Sequence, residues 1–216
     1  MNIGIGEHIM KVKNWVIGGI VALFLLLLVI CGYRAYMFGD VTLSLEQMAK
    51  KRILITYYTR TNDTTKIANT IHELVGGDMI KIEPERAYPA DKNLYLKKIS
   101  EEKDKHSVVP LKNAFPKLGQ YDIIFVGSPA PNGTAATPVK SFLYKNNKSL
   151  KKKIIIPFIV YEKPALAMGA YRDMEFQSVD SYFKNPYYMQ EGDKKSRKVS
   201  ITRWLKLIKF KRYELK

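Results

Sequence analysis

The stretch YYTRTNDTTKIA, residues 57–68, follows a run of β-type residues, RILITYY (52–58), and leads into a helical pattern. In TKIANTIHELV (65–75), Ile67, Ala68, Ile71, Leu74 and Val75 recur on one face of a helix, and Gly76 and Gly77 stop it. A strand, a polar turn and an amphipathic helix make the first half of a βαβ unit. The turn itself, TRTNDT (59–64), is dense in hydroxyls and asparagine. Ordinary turn chemistry accounts for such residues. So does an anion cradle: Thr59, Thr61 and Thr64 offer hydroxyl donors, Asn62 suits a left-handed turn, and the helix start supplies free N–H groups and partial positive charge. No lysine follows a glycine in this loop, so it is not a Walker loop.

Moving outward, the strand–helix alternation continues. DMIKIEP (78–84) reads as a short second strand closed by Pro84, and a helix is expected around 92–105. YDIIFVGS (121–128) is nearly continuous in apolar residues, as a strand covered on both faces should be. ATPVKSFLYKN (136–146) opens a helix with Pro138 near its first turn. KKIIIPFIVY (152–161) is a fourth buried strand with Pro157 as an irregularity, and NPYYMQEG (185–192) reads as a fifth. SITRWLKLIKF (200–210) aligns Ile201, Trp204, Leu205 and Ile208 on a closing helix. Five strands alternating with helices predict an α/β domain with a doubly wound parallel sheet. Ligands of such sheets bind beyond the carboxyl ends of the strands. That rule selects the loops 59–64, 128–136 and 161–170.

The N-terminal region differs in kind. From Asn14 to Tyr33 no residue is charged, and Trp15 and Tyr33 stand at the ends. About twenty apolar residues span a bilayer as a helix, with aromatic rings at its interfaces. The expected organisation is a tail (1–13), a transmembrane helix (14–34), a spacer (35–51) and the α/β domain (52–216). A cleaved signal would have a shorter apolar core and small residues before the cut. Cys31 follows the bulky Ile30, against a lipoprotein signal, and as the one cysteine it permits no internal disulfide. Basic residues are nearly balanced on the two sides of the span, which leaves the orientation of this single-pass membrane protein open.

A formal net charge of +16 suits anionic partners. No groove-reading motif accompanies it, so nucleic acid is not expected. The basic C-terminal region carries lysines around an apolar stripe with Trp204, which fits either a solvated face or a helix lying on anionic lipid. His8, His72 and His106 are scattered, and no catalytic carboxylate pair, cysteine–histidine pair or metal set is expected.

The hydroxyl-rich first loop, IEPERAYPAD (82–91) and YDIIFVGSPAPNGTAATPVKSFL (121–143) together resemble the flavodoxin family, in the variety anchored to membranes. The resemblance runs from about Arg52 to Lys209 and implies a five-stranded sheet of order 2-1-3-4-5 that binds FMN and carries electrons to a redox partner. An FMN-dependent oxidoreductase is a variant of that expectation. By the same resemblance Thr59, Arg60, Thr61, Asn62, Asp63 and Thr64 would wrap the phosphate. Ser128, Pro129, Ala130, Pro131, Asn132, Gly133 and Thr134, with Tyr161 from the third loop, would flank the ring. The chain departs from the family in four ways. Asn62 replaces a glycine, Asp63 brings a carboxylate toward a dianionic phosphate, Pro131 and Asn132 stand where two aromatic residues are usual, and Glu162, Lys163 and Pro164 stand in a third loop where small residues and glycine are usual. Those losses keep open an alternative, a flavin-less scaffold or binding module at the membrane.

Overall fold

A computed structural model describes Leu23, Leu26, residues 51–193 and residues 197–208. The chain divides into two compact units, Met1–Thr42 and Leu43–Lys216. In the first, Leu23 and Leu26 are helical and exposed. The rest of the expected span 14–34 lies outside the described residues, and among those described no helix is long and apolar enough to cross a membrane.

The second unit is built on a parallel sheet. Its strands are β1 (Ile53–Tyr57), β2 (Asp78–Lys81), β3 (Ile123–Pro129), β4 (Ile154–Tyr161), β5 (Tyr182–Phe183) and β6 (Tyr187–Gln190). The order is β2-β1-β3-β4-β5, with β6 also pairing β4, so the expected 2-1-3-4-5 arrangement is present. The helices are α1 (Asp63–Val75), α2 (Lys92–Asp104), α3 (Thr137–Leu150), α4 (Pro164–Gln177) and α5 (Arg197–Leu207).

Period-two alternation along the central strands divides the core between the two faces. Ile53, Ile55, Ile123, Phe125, Ile156 and Phe158 pack with Ile67 and Ile71 of α1 and with Ile201 and Trp204 of α5. Leu54, Ile124, Val126, Ile155 and Ile159 pack on the other face with Val139 and Phe142 of α3 and Met174 of α4. Both faces are covered, which explains why β3 reads as an unbroken apolar run. Gly127 is required where β3 passes between its neighbours, because a Cβ there would collide with the Phe158 ring and with Tyr57.

Two expectations are corrected. The fifth strand is not one segment at 185–192 but two short ones, β5 and β6, interrupted at Lys184–Pro186. Pro157 explains the break. On β4, Ile154 N and Val160 O bond toward β3, whereas Ile155 O and Tyr161 O accept from Lys184 N and Glu191 N of the fifth position. Alternation along a parallel strand therefore aims position 157 at the fifth position, and proline has no N–H to offer it. Secondly, the third loop is not 161–170. Pro164 starts α4 at its first turn, which leaves only Glu162 and Lys163 as connection.

Candidate functional site

The site lies beyond the carboxyl ends of β1, β3 and β4, as expected for an open parallel sheet. After β1 the chain bonds once more to β3, through Tyr58 N to Gly127 O at 3.0 Å, and then turns outward. Asn62 is the N-cap of α1 with φ 68 and ψ −4, the left-handed conformation that asparagine tolerates. Its carbonyl accepts from Lys66 N at 3.1 Å, and its side chain makes no capping bond, so the first N–H groups of α1 receive none from it. Thr59 Oγ1 and Arg60 Nε are buried with no hydrogen-bond partner. A buried hydroxyl without a partner costs free energy unless something else satisfies it. The donor set, a hydroxyl, a guanidinium N–H and a helix N-terminus, is that of an anion site, so these residues fit the phosphate of a mononucleotide.

Asp63 points elsewhere. Its carboxylate accepts from Gly192 N at 2.9 Å and from Lys66 Nζ at 3.0 Å, with Arg197 at 3.9 Å. Burial pushes its pKa up, but the Gly192 N–H and the two cations outweigh burial and hold it below the usual carboxylate value. The charge that threatened an anion in the first loop is spent on pinning the turn between β6 and α5. Thr64 is buried in the same first turn of α1, and Thr61 is exposed and lines the cavity described next.

A cavity of about 350 Å³ opens between five segments, one of them supplying only Glu191, just after β6. The first loop gives Arg60 and Thr61, and the second gives Pro129, Ala130, Pro131 and Asn132. The β4–α4 connection gives Glu162 and Lys163, followed by Leu166. The fourth wall is α2, with Lys92, Asn93, Tyr95 and Leu96. Its volume lies at the small end of the range for ligand pockets, roughly 300–1,000 Å³. Across it Lys92 Nζ pairs with Glu162 Oε2 at 2.9 Å.

The α2 wall is the part that sequence reasoning missed. Asp91 caps α2 by accepting from Leu94 N at 2.9 Å, which fixes the start of the helix that carries Lys92, Asn93 and Tyr95. Arg60 donates to Ala90 O at 2.6 Å and lies 5.0 Å above the Tyr95 ring. Tyr95 meets Tyr88 edge-on at 5.6 Å, and Tyr88 meets Tyr58 at 6.1 Å. Tyr88 OH donates to the buried Glu102 carboxylate at 2.7 Å. Burial raises all three phenol pKa values, that of Tyr58 to about 12 against the pull of Arg60. The available signal was the aspartate followed four residues later by a tyrosine in ADKNLYL, a capped helix with an aromatic one turn in.

The second loop is held by side chains expected to face the ring. Ser128 Oγ accepts from Ala136 N at 3.0 Å and donates to Pro129 O at 2.7 Å. Thr134 Oγ1 donates to Asp173 and accepts from Lys140 Nζ at 3.2 Å. Burial lowers the Lys140 pKa, against the pull of Asp173. Asn132, at φ 50, donates to Ser100 Oγ of α2 at 3.0 Å, and Gly133 follows at φ 75. Gly169 of α4 packs against Gly133 so closely that a Cβ would run into its carbonyl. Tyr161 is half-buried, edge-on to Tyr188 at 6.4 Å, and is not in the cavity wall. Thus Arg60, Thr61, Pro129, Ala130, Pro131 and Asn132 are brought together around the cavity. Ser128, Thr134, Tyr161 and Asp63 instead have partners within the fold. Among the described residues no group of His, Cys, Asp and Glu could hold a metal ion.

A family model described as Flavodoxin matches residues 52–206. Solved structures share the fold. A flavoprotein of Lactobacillus acidophilus NCFM in complex with FMN is 17% identical at TM-score 0.60, covering 71% of this chain and 98% of its own. A flavoprotein from Bacteroides eggerthii DSM 20697 is 23% identical at TM-score 0.64, covering 74% and 98%. A WrbA-like flavodoxin from Agrobacterium tumefaciens is 11% identical at TM-score 0.52, covering 74% and 97%. No curated protein matches the sequence.

Proposed function

Because the chain belongs to the flavodoxin family, we propose that it is a membrane-anchored electron carrier with FMN as its cofactor. The observation that carries the reading is Thr59 Oγ1, buried without a partner in the loop that leads into the N-terminus of α1. A phosphate bound there satisfies the hydroxyl and the free N–H groups together. Flavoprotein neighbours of the same fold, one of them solved with FMN, support the choice of cofactor. FMN supplies the electron chemistry, and the protein supplies grip, orientation and electrostatic surroundings. Thr59, Thr61 and the start of α1 hold the phosphate. Arg60, braced on Tyr95, places a fixed cation in the cavity wall. Pro129, Ala130, Pro131 and Asn132 border the ring. The uncharged run from Asn14 to Tyr33 supports the membrane anchor.

A second reading has its own support. Asn132 is tied to α2, and Ser128 and Thr134 are committed within the fold, so the second loop presents neither aromatic faces nor free hydroxyls. On that reading the domain is a scaffold without flavin. Flavin analysis of the full chain purified in detergent separates the two. A yellow protein that releases FMN on denaturation is expected. A colourless protein that leaves the fluorescence of added FMN unquenched would sink the carrier reading.

A further inference from the structure

The strands begin at the end of the sheet opposite the candidate site, and the chain arrives there at Lys51 and Arg52. Asp122, at the start of β3, accepts from Arg52 N at 3.1 Å and pairs with Lys51 at 3.5 Å. Lys153, just before β4, donates to Gly119 O at 2.7 Å. Lys152 N donates to Asp180 O at 2.8 Å in the turn before β5, and Lys151 pairs with the Asp180 carboxylate at 3.4 Å. Lys152 has φ 60, a left-handed conformation that a lysine rarely adopts. These contacts bring Lys51, Arg52, Lys151, Lys152 and Lys153 to one end of the sheet, where α3 also ends with Lys148 in its last turn. The nearby carboxylates Asp78, Asp122, Glu175 and Asp180 each already have a partner.

The same end carries apolar surface. Phe176 in the last turn of α4 is 79% exposed and Val179 in the following turn is 77% exposed, the highest values among the described large apolar residues. An apolar pair within a field of lysines matches a bilayer surface with anionic headgroups. The lysines engage phosphate, and the apolar side chains enter the headgroup–acyl boundary.

The geometry points to this end of the sheet as a docking face for an anionic lipid bilayer, with the FMN site at the far end turned toward solvent. The inference rests on the membrane anchor proposed above. In the sequence only residues 34–50 lie between the run 14–33 and Lys51, so the proposed anchor keeps this face at high local concentration near the bilayer and individually weak contacts suffice.

The test uses the full chain with Cys31→Ser and Val179→Cys, labelled at position 179 with a polarity-sensitive fluorophore. It is reconstituted into phosphatidylcholine vesicles, with and without phosphatidylglycerol. A blue shift and quenching by nitroxide lipids are expected in the anionic vesicles alone, with reversal by high salt. Lys148→Glu with Lys152→Glu should abolish the shift while the chain still floats with the vesicles. The salt arm needs no charge variant and so stands if that variant misfolds. A label equally aqueous in both vesicle types, as an acidic protein partner would leave it, overturns the docking face alone. A chain that does not float with phosphatidylcholine vesicles overturns the anchor and the docking face with it.

Discussion

The Asp63 carboxylate accepts a hydrogen bond from Gly192 N at 2.9 Å, a contact that ties the first turn of α1 to the turn between β6 and α5. This one bond converts an apparent defect of an anion loop into a structural clamp. Asp63→Ala should therefore cost stability, about 1.5–3 kcal/mol for a lost hydrogen bond to a charged group. Arg197 and Lys66 lose their anionic partner in the same step. Relief of repulsion on FMN should be small, because the carboxylate already faces two cations. Denaturant unfolding measures the first effect and FMN titration the second. An unchanged unfolding midpoint would contradict the clamp.

The depressed Asp63 pKa has a pH signature. In the unfolded chain the group titrates near the ordinary value of about 3.9. Its folded value is lower, so its contribution is complete above that pH and is lost as acid carries the solution down through the folded value. Stability should fall on acidification below about pH 4, and Asp63→Asn should flatten that limb. Unfolding curves of both proteins across the acid range check this, and parallel acid limbs would refute it.

Gly169→Ala should disturb the second loop from behind. The new Cβ meets the Gly133 carbonyl, which is backbone and cannot swing away. The expected cost is about 1–3 kcal/mol from overpacking. Weaker FMN binding should accompany it, since Pro131 and Asn132 border the cavity immediately before Gly133. Thermal unfolding and flavin titration report the two effects, and a fully stable variant with unaltered FMN affinity would count against the close packing.

Much of this architecture is legible in the sequence because it depends on local periodicity. The apolar pattern of 65–75 and the unbroken run in β3 reflect one covered helix face and two covered sheet faces. The order of the strands follows from the family resemblance. What the sequence hides is set by contacts between distant segments. Pro157 is visible as an irregularity, but that it breaks the fifth strand depends on which neighbour its missing N–H would have faced. Ser128 and Thr134 look like free hydroxyls until Ala136 N and Asp173 claim them. The spacing in ADKNLYL marks a capped helix with an aromatic one turn in, but that it walls the cavity depends on Arg60 reaching Ala90 and Tyr95 across the fold.

Thr59→Ala isolates the phosphate grip. The hydroxyl has no partner within the protein, so its removal should leave stability nearly unchanged. A hydrogen bond to a charged phosphate is worth about 1.5–3 kcal/mol, so FMN affinity should fall between roughly tenfold and a hundredfold. Riboflavin binding should not change. A large loss of stability with unchanged FMN affinity would assign Thr59 to the fold instead.

The central claim is that the loop 59–64 holds a phosphate and that this grip carries most of the affinity for flavin. Calorimetric titration of the full chain in detergent, with FMN and in parallel with riboflavin, tests it most directly. Several charge-assisted hydrogen bonds of about 1.5–3 kcal/mol each predict that FMN binds at least roughly a hundredfold more tightly than riboflavin. Equal affinity for the two flavins, or no binding heat with either, would contradict it.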